Sequence, residues 1–265
     1  MNEHRLINFL LRSFVVMVFL FIFLPIAGSF VFSFNIDRFP SLPLGGFSLH
    51  WYEMIASDPA VWQAFRNSLT VGVVVSLIST LLGFTAAYTD FRYQFFGKSI
   101  YMVLALLSPT IPVVIMGLAM LAFLSRVGLS GEIYAVMISH IVMCAPFAMA
   151  VIRMRLAQMD PNIEAAAWNL GANQWKAMRY VILPFTAPSI FAALFVTMAV
   201  SFDEFAVAWF VSGLNETVPV RILNTLQGQV SPTINAIGTI VFITTMTLVI
   251  LAQLLLMRRR KPASA

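Results

Sequence analysis

Six long apolar stretches divide this chain, and each is long enough to cross a lipid bilayer. A membrane-spanning helix needs about 20 mainly apolar residues, because in lipid only hydrogen bonding within the helix satisfies the backbone. Charged residues make up only 10% of the chain, whereas a soluble domain carries roughly 25%. The sequence therefore predicts an all-α integral membrane protein with one domain, 1–265, and six transmembrane helices at residues 14–34, 69–88, 100–124, 133–152, 188–210 and 237–257.

The basic residues predict the orientation of these helices, because short loops rich in Lys and Arg remain in the cytoplasm. One set of alternate segments holds twelve of the 16 basic residues: Arg5, Arg12, Arg92, Lys98, Arg153, Arg155, Lys176, Arg179, Arg258, Arg259, Arg260 and Lys261. The other set holds Arg38, Arg66, Arg126 and Arg221. Both termini are therefore predicted to be cytoplasmic. This clustering between apolar runs indicates topology and not a surface for nucleic acid.

The first apolar stretch has two interpretations. A basic start and the small residues Ala27, Gly28 and Ser29 are typical of a cleaved signal peptide. The apolar run continues through residues 30–32, however, which favours a membrane anchor.

A long cytoplasmic connection, 153–183, carries helix signals of its own. Asp160 can cap a helix, and Gly171 supplies a natural stop about three turns later. A second helical segment is predicted to start at Asn173 and to end at Pro184. A connection of this length on the cytoplasmic side suggests a binding function.

The first of these helices is predicted to be amphipathic. Glu164 and Trp168 lie four residues apart and project together, so we expect them to face water and a partner protein. The opposite face is an apolar stripe that we expect to rest on the membrane helices, formed by Ile163, Ala166, Ala167 and Leu170. The alternative is an amphipathic pair lying flat on the bilayer, anchored by Trp175.

The sequence of this connection resembles a known motif. Residues 164–184 read EAAAWNLGANQWKAMRYVILP, which resembles the EAA loop of permease subunits in ABC importers: EAA, three residues, Gly, nine residues, Ile, one residue, Leu-Pro. Gly171, Leu183 and Pro184 fit this spacing. Val181 takes the Ile position. The main departure from the pattern is that Ala165 replaces the glutamate, while Glu164 lies one residue earlier.

The resemblance implies a type I ABC importer permease with a cytoplasmic coupling helix at 162–175, located in a bacterial inner membrane. It implies as partners a second homologous permease subunit, two ATP-binding subunits, a periplasmic solute-binding protein and the lipid bilayer. ATP and magnesium would bind to the ATPase subunits, and this chain would bind no cofactor. The residues implied in ATPase docking are Glu164, Ala165, Ala166, Trp168 and Gly171.

Two further segments, SFDEFAVAWFVSG and VSPTINAIGT, are similar to parts of spermidine/putrescine-type permeases. The first contains Asp203 and Glu204 inside the fifth apolar stretch, where a carboxylate costs about 2.5 to 3.5 kcal/mol on insertion scales. One hypothesis is that this acidic pair admits a cationic solute such as a polyamine. The other is a structural role, such as capping a broken helix or bonding the partner permease.

No catalytic or metal-binding constellation is recognisable in the sequence. Gly97, Lys98 and Ser99 resemble the end of a phosphate-binding loop, but Arg92 occupies the position of the required earlier glycine. The single cysteine, Cys144, is predicted to be a packing residue. His140 is predicted to be a hydrogen-bonded interior residue, with a proton relay as the alternative. Energy for transport must therefore come from a separate ATPase or, in the alternative interpretation, from an ion gradient across a secondary transporter of amines or amino acids. A membrane scaffold without transport is the third interpretation.

Overall fold

The computed structural model describes residues 2–37, 43–160, 162–228 and 232–257. Within these ranges the chain is built from helices, with one isolated β-bridge between Asn35 and Phe47. The helices are α1 (Asn2–Phe32), α2 (His50–Ser57), α3 (Pro59–Arg92), α4 (Lys98–Ala105), α5 (Val113–Arg126), α6 (Ile133–Leu156), α7 (Asn162–Asn169), α8 (Gln174–Ala177), α9 (Leu183–Asp203), α10 (Ala206–Val211), α11 (Val218–Gly228) and α12 (Thr233–Met257).

Five helices in the described ranges are long and apolar enough to cross a membrane: Leu6–Phe32, Pro59–Arg92, Ile133–Leu156, Gln174–Asp203 and Thr233–Leu255. They correspond to five of the six predicted spans. The remaining predicted span, 100–124, is not one continuous helix, so the count of six stays a prediction.

Two prolines account for the interruption in this third stretch. Helix α4 ends at Ala105, a short 3₁₀ turn covers Ser108–Thr110, and α5 begins at Val113. Pro109 lies within the 3₁₀ turn and Pro112 precedes α5; each lacks an amide hydrogen, and the residue before a proline avoids helical geometry. Helix α5 has 14 residues and is about 21 Å long, short of the roughly 30 Å hydrocarbon layer.

The described chain divides into two compact units. One comprises residues 1–61 and 222–242. In this unit the Ser29 hydroxyl donates to Asn235 Oδ1 at 3.1 Å, which joins α1 to α12. The Trp51 indole is buried and donates to the Asn35 carbonyl at 2.6 Å, so this ring anchors α2 to the segment after α1.

The other unit comprises residues 62–221 and 243–265. Here α6 packs along α9, and α10 packs on α5. His140 and Cys144 lie fully buried on α6, as predicted, and the His140 ring forms a hydrogen bond of 2.9 Å between Nδ1 and Ser201 Oγ on α9. At the end of α3, Asp90 pairs with Arg153 of α6 at 2.6 Å and with Lys98 of α4 at 3.3 Å. These ion pairs tie three helices together.

Helix α3 packs tightly against α6 at Gly83. A β-carbon at this position would lie 2.6 Å from both Ala148 Cβ and the backbone nitrogen of Met149. We expect Gly83→Ala to lower the free energy of unfolding of the purified protein by about 1 to 3 kcal/mol, and with it the melting temperature. The reason is that the new methyl group would clash with the backbone of α6, which cannot move aside. Gly72→Ala on the same helix is the control, since its nearest neighbour, Met198 Cγ, lies at 3.6 Å. Equal melting temperatures for the two variants would contradict this prediction.

Candidate coupling segment and substrate pathway

Helix α7 begins as the sequence predicts. The Asp160 side chain accepts a hydrogen bond from the backbone N–H of Asn162 at 2.9 Å, and the Asp160 carbonyl accepts one from Ile163 at 3.1 Å. Asp160 thus satisfies an amide that has no partner within the helix. The predicted cap is confirmed.

The end of α7 is a Schellman motif centred on Gly171. The Gly171 N–H donates to the Trp168 carbonyl at 2.9 Å, and the Ala172 N–H donates to the Ala167 carbonyl at 3.0 Å. Gly171 itself has a φ of 82°, in the left-handed region that favours glycine. The predicted stop at Gly171 is therefore confirmed, and the chain turns sharply there.

The second helical segment does not end at Pro184, so that prediction is wrong. Asn173 caps it, its side chain accepting from the Lys176 N–H at 2.9 Å. The chain then passes through a turn of π-helix, Met178–Ile182, directly into α9. This wider turn carries the helix past Pro184, because it shifts the preceding carbonyls away from the proline ring. The candidate coupling segment, which consists of α7 and α8, is thus continuous with the long apolar helix α9.

The predicted orientation of α7 is wrong for Glu164, Ile163 and Leu170, whereas Trp168 is exposed as predicted. Glu164, expected to face water, is only 6% exposed. Leu170 and Ile163, expected to pack on the membrane helices, are 90% and 42% exposed. Ala165 and Ala166 are exposed as well. The helix is therefore rotated so that its acidic residue points toward the protein and much of its apolar stripe points outward.

The partners of Glu164 explain this rotation. Arg92, the last residue of α3, places its Nε 3.1 Å from Glu164 Oε2. The Tyr88 hydroxyl, one turn earlier, lies 3.3 Å from Glu164 Oε1 and donates to it. Trp168 lies on the same side of α7, with the Arg92 guanidinium 4.7 Å from its ring centre. Charge-assisted bonds of this kind orient a short helix more firmly than a few exposed aliphatic contacts.

Arg92 and Tyr88 were not identified as site residues from the sequence. Arg92 contributed to the charge count that predicts topology and to the argument against a phosphate-binding loop, and Tyr88 marked the end of a span. The one signal in the sequence for this ion pair is an acidic residue at 164 and a basic residue at the end of another predicted helix. The sequence does not show which basic residue would meet Glu164. The docking roles predicted for Glu164, Ala165, Ala166, Trp168 and Gly171 stay predictions.

The acidic pair lies at a break between two helices. Helix α9 ends at Asp203, and Glu204 is extended, with φ of −74° and ψ of 118°. The Glu204 side chain accepts a hydrogen bond from the backbone N–H of Val207 at 2.9 Å, in the first turn of α10. Glu204 therefore performs the structural role of capping a broken helix. Asp203 is exposed on the surface of this chain.

Contacts with α6 give the depth of this break. Ser201 lies opposite His140, and the Val211 carbonyl accepts from the Gly131 N–H at 3.2 Å. The two segments therefore run antiparallel, and the break lies between these contacts. His140 is about 10 Å along α6 from its first residue, so the break falls near the end of α6 that is predicted to be outside.

The segment that follows α10 is fastened to its neighbours. The Asn67 side chain donates to the Glu216 carbonyl at 2.9 Å, and the Val218 N–H donates to Ser68 Oγ at 2.9 Å. The Asn215 side chain donates to the Gly131 carbonyl at 3.0 Å. These bonds hold the end of α10, and with it the helix break, in a fixed position.

Long apolar helices, a short capped helix between α6 and α9, and a helix break that carries two carboxylates are features expected of a membrane transport component. Residues 79–262 match the family model for the binding-protein-dependent transport system inner membrane component. The chain belongs to this family, and it is therefore a non-catalytic inner-membrane permease subunit of an ABC importer. This excludes the ion-coupled carrier and the scaffold as its class.

Relatives of known name match most of the chain. The spermidine/putrescine transport system permease protein PotC of Haemophilus influenzae is 31% identical, with 93% of this chain and 96% of the relative covered. PotC of Escherichia coli K12 is 30% identical, with 94% and 95% covered. The putrescine transport system permease protein PotI of Escherichia coli K12 is 29% identical, with 84% and 82% covered.

Solved structures share the fold. A chain of a bacterial ABC transporter involved in the import of the acidic polysaccharide alginate has a TM-score of 0.74 and 16% identity, and the match covers 98% of both chains. A chain of an amino acid ABC transporter solved with histidines has a TM-score of 0.60 and 21% identity, covering 77% of this chain and 96% of that one. At these identities the likeness supports the type I importer fold and carries no information on substrate.

Proposed function

We propose that this chain forms half of a pathway through which an ABC importer takes up a small cationic amine of the polyamine class. The observation that carries the proposal is the exposed carboxylate of Asp203 at a helix break near the predicted outer side of the membrane. Relatives of 29 to 31% identity are named for spermidine and putrescine transport.

The two carboxylates have different functions in this proposal. Glu204 is committed to the backbone of α10 through its bond to Val207, so it fixes the shape of the break. Asp203 remains available to oppose a positive charge where water is scarce and electrostatic attraction is therefore strong. A permease that handles a diamine or triamine requires such a group along its pathway.

In the assembled importer the chain pairs with a second, homologous permease subunit, above two ATP-binding subunits and below a periplasmic solute-binding protein. Both termini lie in the cytoplasm. The outward side of α7 docks on an ATPase subunit through a surface that we call the docking face, formed by Ile163, Ala165, Ala166 and Leu170 and continued by Trp175 of α8. These aliphatic side chains and the 82% exposed indole of Trp175 are suited to a hydrophobic cleft.

The docking face makes a specific prediction for association with the ATPase. We expect Leu170→Asp to abolish copurification of the ATPase subunits with the permease, because the interface would bury an unpaired carboxylate. A cost of about 3 kcal/mol weakens association more than ~100-fold. The measurement is the ATPase to permease ratio after affinity purification of the coexpressed complex.

Leu214→Asp is the matched control for this experiment. Leu214 is 100% exposed, compared with 90% for Leu170, but lies between α10 and α11 on the side predicted to be outside. This variant is expected to retain the ATPase. Retention by both variants would refute the docking face, and loss by both would refute the proposed orientation. Uptake of amine by the purified chain alone would refute the proposed function itself.

A further inference from the structure

The end of α3 and the inward side of α7 form a compact cluster that the docking face does not explain. It consists of Tyr88, Arg92, Glu164 and Trp168. The Glu164 carboxylate is almost fully buried, with Arg92 on one oxygen at 3.1 Å and Tyr88 on the other at 3.3 Å. A cavity of about 120 Å³ adjoins the cluster and is lined by Tyr93, Gln174, Trp175 and Met178 together with three of its members.

Arg92 holds α7 at two points one helical turn apart. Its guanidinium pairs with the Glu164 carboxylate, and it also lies 4.7 Å from the ring centre of Trp168. Residues i and i+4 of a helix project to the same side, so both contacts resist rotation and sliding of α7. A planar guanidinium can pair through its edge and stack through its face at once, which an ammonium group cannot do.

The cluster also forms the side-chain contact between α7 and α3. Along the chain α7 follows α6 within a few residues, and it is joined to α9 through α8 and the π-helical turn. Its attachment to α3 is by side chains: the contacts of Glu164 and Trp168 with Arg92 and Tyr88. When side chains hold two helices together, a displacement of one helix is transmitted to the other. A displacement of α7 is therefore transmitted to α3 through this cluster.

We infer that Arg92 is a positioning residue for energy coupling. Through its ion pair with Glu164 and its contact with the Trp168 ring, it makes α3 move with α7 when the ATPase subunits move α7. The inference rests on the proposed function, since it needs an ATPase docked on the outward side of α7. It assigns to Glu164 an inward, force-transmitting contact within the chain in place of a direct contact with the ATPase.

The test uses the complete transporter, with its ATPases and solute-binding protein, in proteoliposomes. Arg92→Ala is expected to raise the number of ATP molecules hydrolysed per amine imported by about fivefold or more, while the complex still copurifies intact. Arg92→Lys, which keeps the charge but not the stacking, should fall between Ala and the wild type. A purely structural role would lower assembly or melting temperature and leave this ratio unchanged.

Two further variants separate the outcomes. Arg153→Gln removes the ion pair to Asp90, at the same end of α3 but without contact to α7, and should keep the normal ratio. The exchange Arg92→Glu with Glu164→Arg should recover part of the coupling lost in either single variant. A normal ratio in Arg92→Ala, or an equal rise in Arg153→Gln, would overturn the inference. Failure of the wild-type permease to bind an ATPase would instead overturn the proposed function.

Discussion

Uptake of putrescine or spermidine is expected to fall at least about tenfold when Asp203 is replaced by Asn. The substitution keeps the size of the side chain and its ability to form hydrogen bonds, but it removes the negative charge. A loss of about 1.4 kcal/mol of attraction for the cation is sufficient for a tenfold effect, and a single charge in a partly dehydrated pathway contributes at least that much. The measurement is the initial rate of amine uptake by the complete transporter.

Glu204→Gln is the matched control, because it removes the same charge one residue along the chain. Gln retains an oxygen that accepts from the Val207 N–H, so the cap on α10 is preserved. We expect less than about a threefold change in uptake with this variant. Asp203→Glu should retain most of the activity. Normal uptake by Asp203→Asn would contradict a role for this carboxylate in the pathway, whereas equal losses in the two neutral variants would indicate that the pair acts as a unit.

Replacing Gly171 with Val is expected to uncouple ATP hydrolysis from transport. Gly171 has a φ of 82°, and a β-branched residue is strained by at least about 1 to 2 kcal/mol in that region. No neighbouring atom lies within 4 Å of a β-carbon built there, so the effect comes from the backbone. The corner between α7 and α8 would open and change the angle of the docking face. We expect hydrolysis to continue while amine uptake falls about tenfold.

The α3–α4 loop offers a matched control for this variant. Gly97 has a φ of 83° and likewise no atom within 4 Å of a built β-carbon, so Gly97→Val introduces the same backbone strain away from the coupling segment. That variant should keep the normal ratio of ATP to amine. Gly171→Asn should keep a ratio of ATP to amine close to that of the wild type, since Asn tolerates the left-handed region. A normal ratio in Gly171→Val would refute the role of this corner.

Features encoded by a few neighbouring residues were predicted well from the sequence. Asp160 and Gly171 define the ends of α7 through hydrogen bonds that reach no further than five residues, so their types alone predict a cap and a stop. The five long apolar helices follow from local hydrophobicity in the same way. The interruption between α4 and α5 was not predicted, because residues 100–124 are apolar throughout and were assigned to one helix despite Pro109 and Pro112.

Features that depend on a distant part of the chain were predicted poorly. The amphipathic pattern of α7 suggested that Glu164 faces water, but it could not reveal that Arg92 and Tyr88, more than seventy residues earlier, lie within bonding distance of that carboxylate. For Glu204 the sequence left a pathway role and the capping of a broken helix both open, and only the structure showed the backbone N–H that this side chain caps.

The sequence by itself determined that this chain is a helical membrane protein with a short capped helix between two long ones, because hydrophobicity and backbone capping act over one or two helical turns. The tertiary structure alone decided which side of α7 points inward and which of the two carboxylates caps a helix and which is exposed. Those outcomes depend on which groups meet after the helices pack. A buried carboxylate such as Glu164 needs a hydrogen-bonding or charged partner, and packing of the helices determines which residue that is.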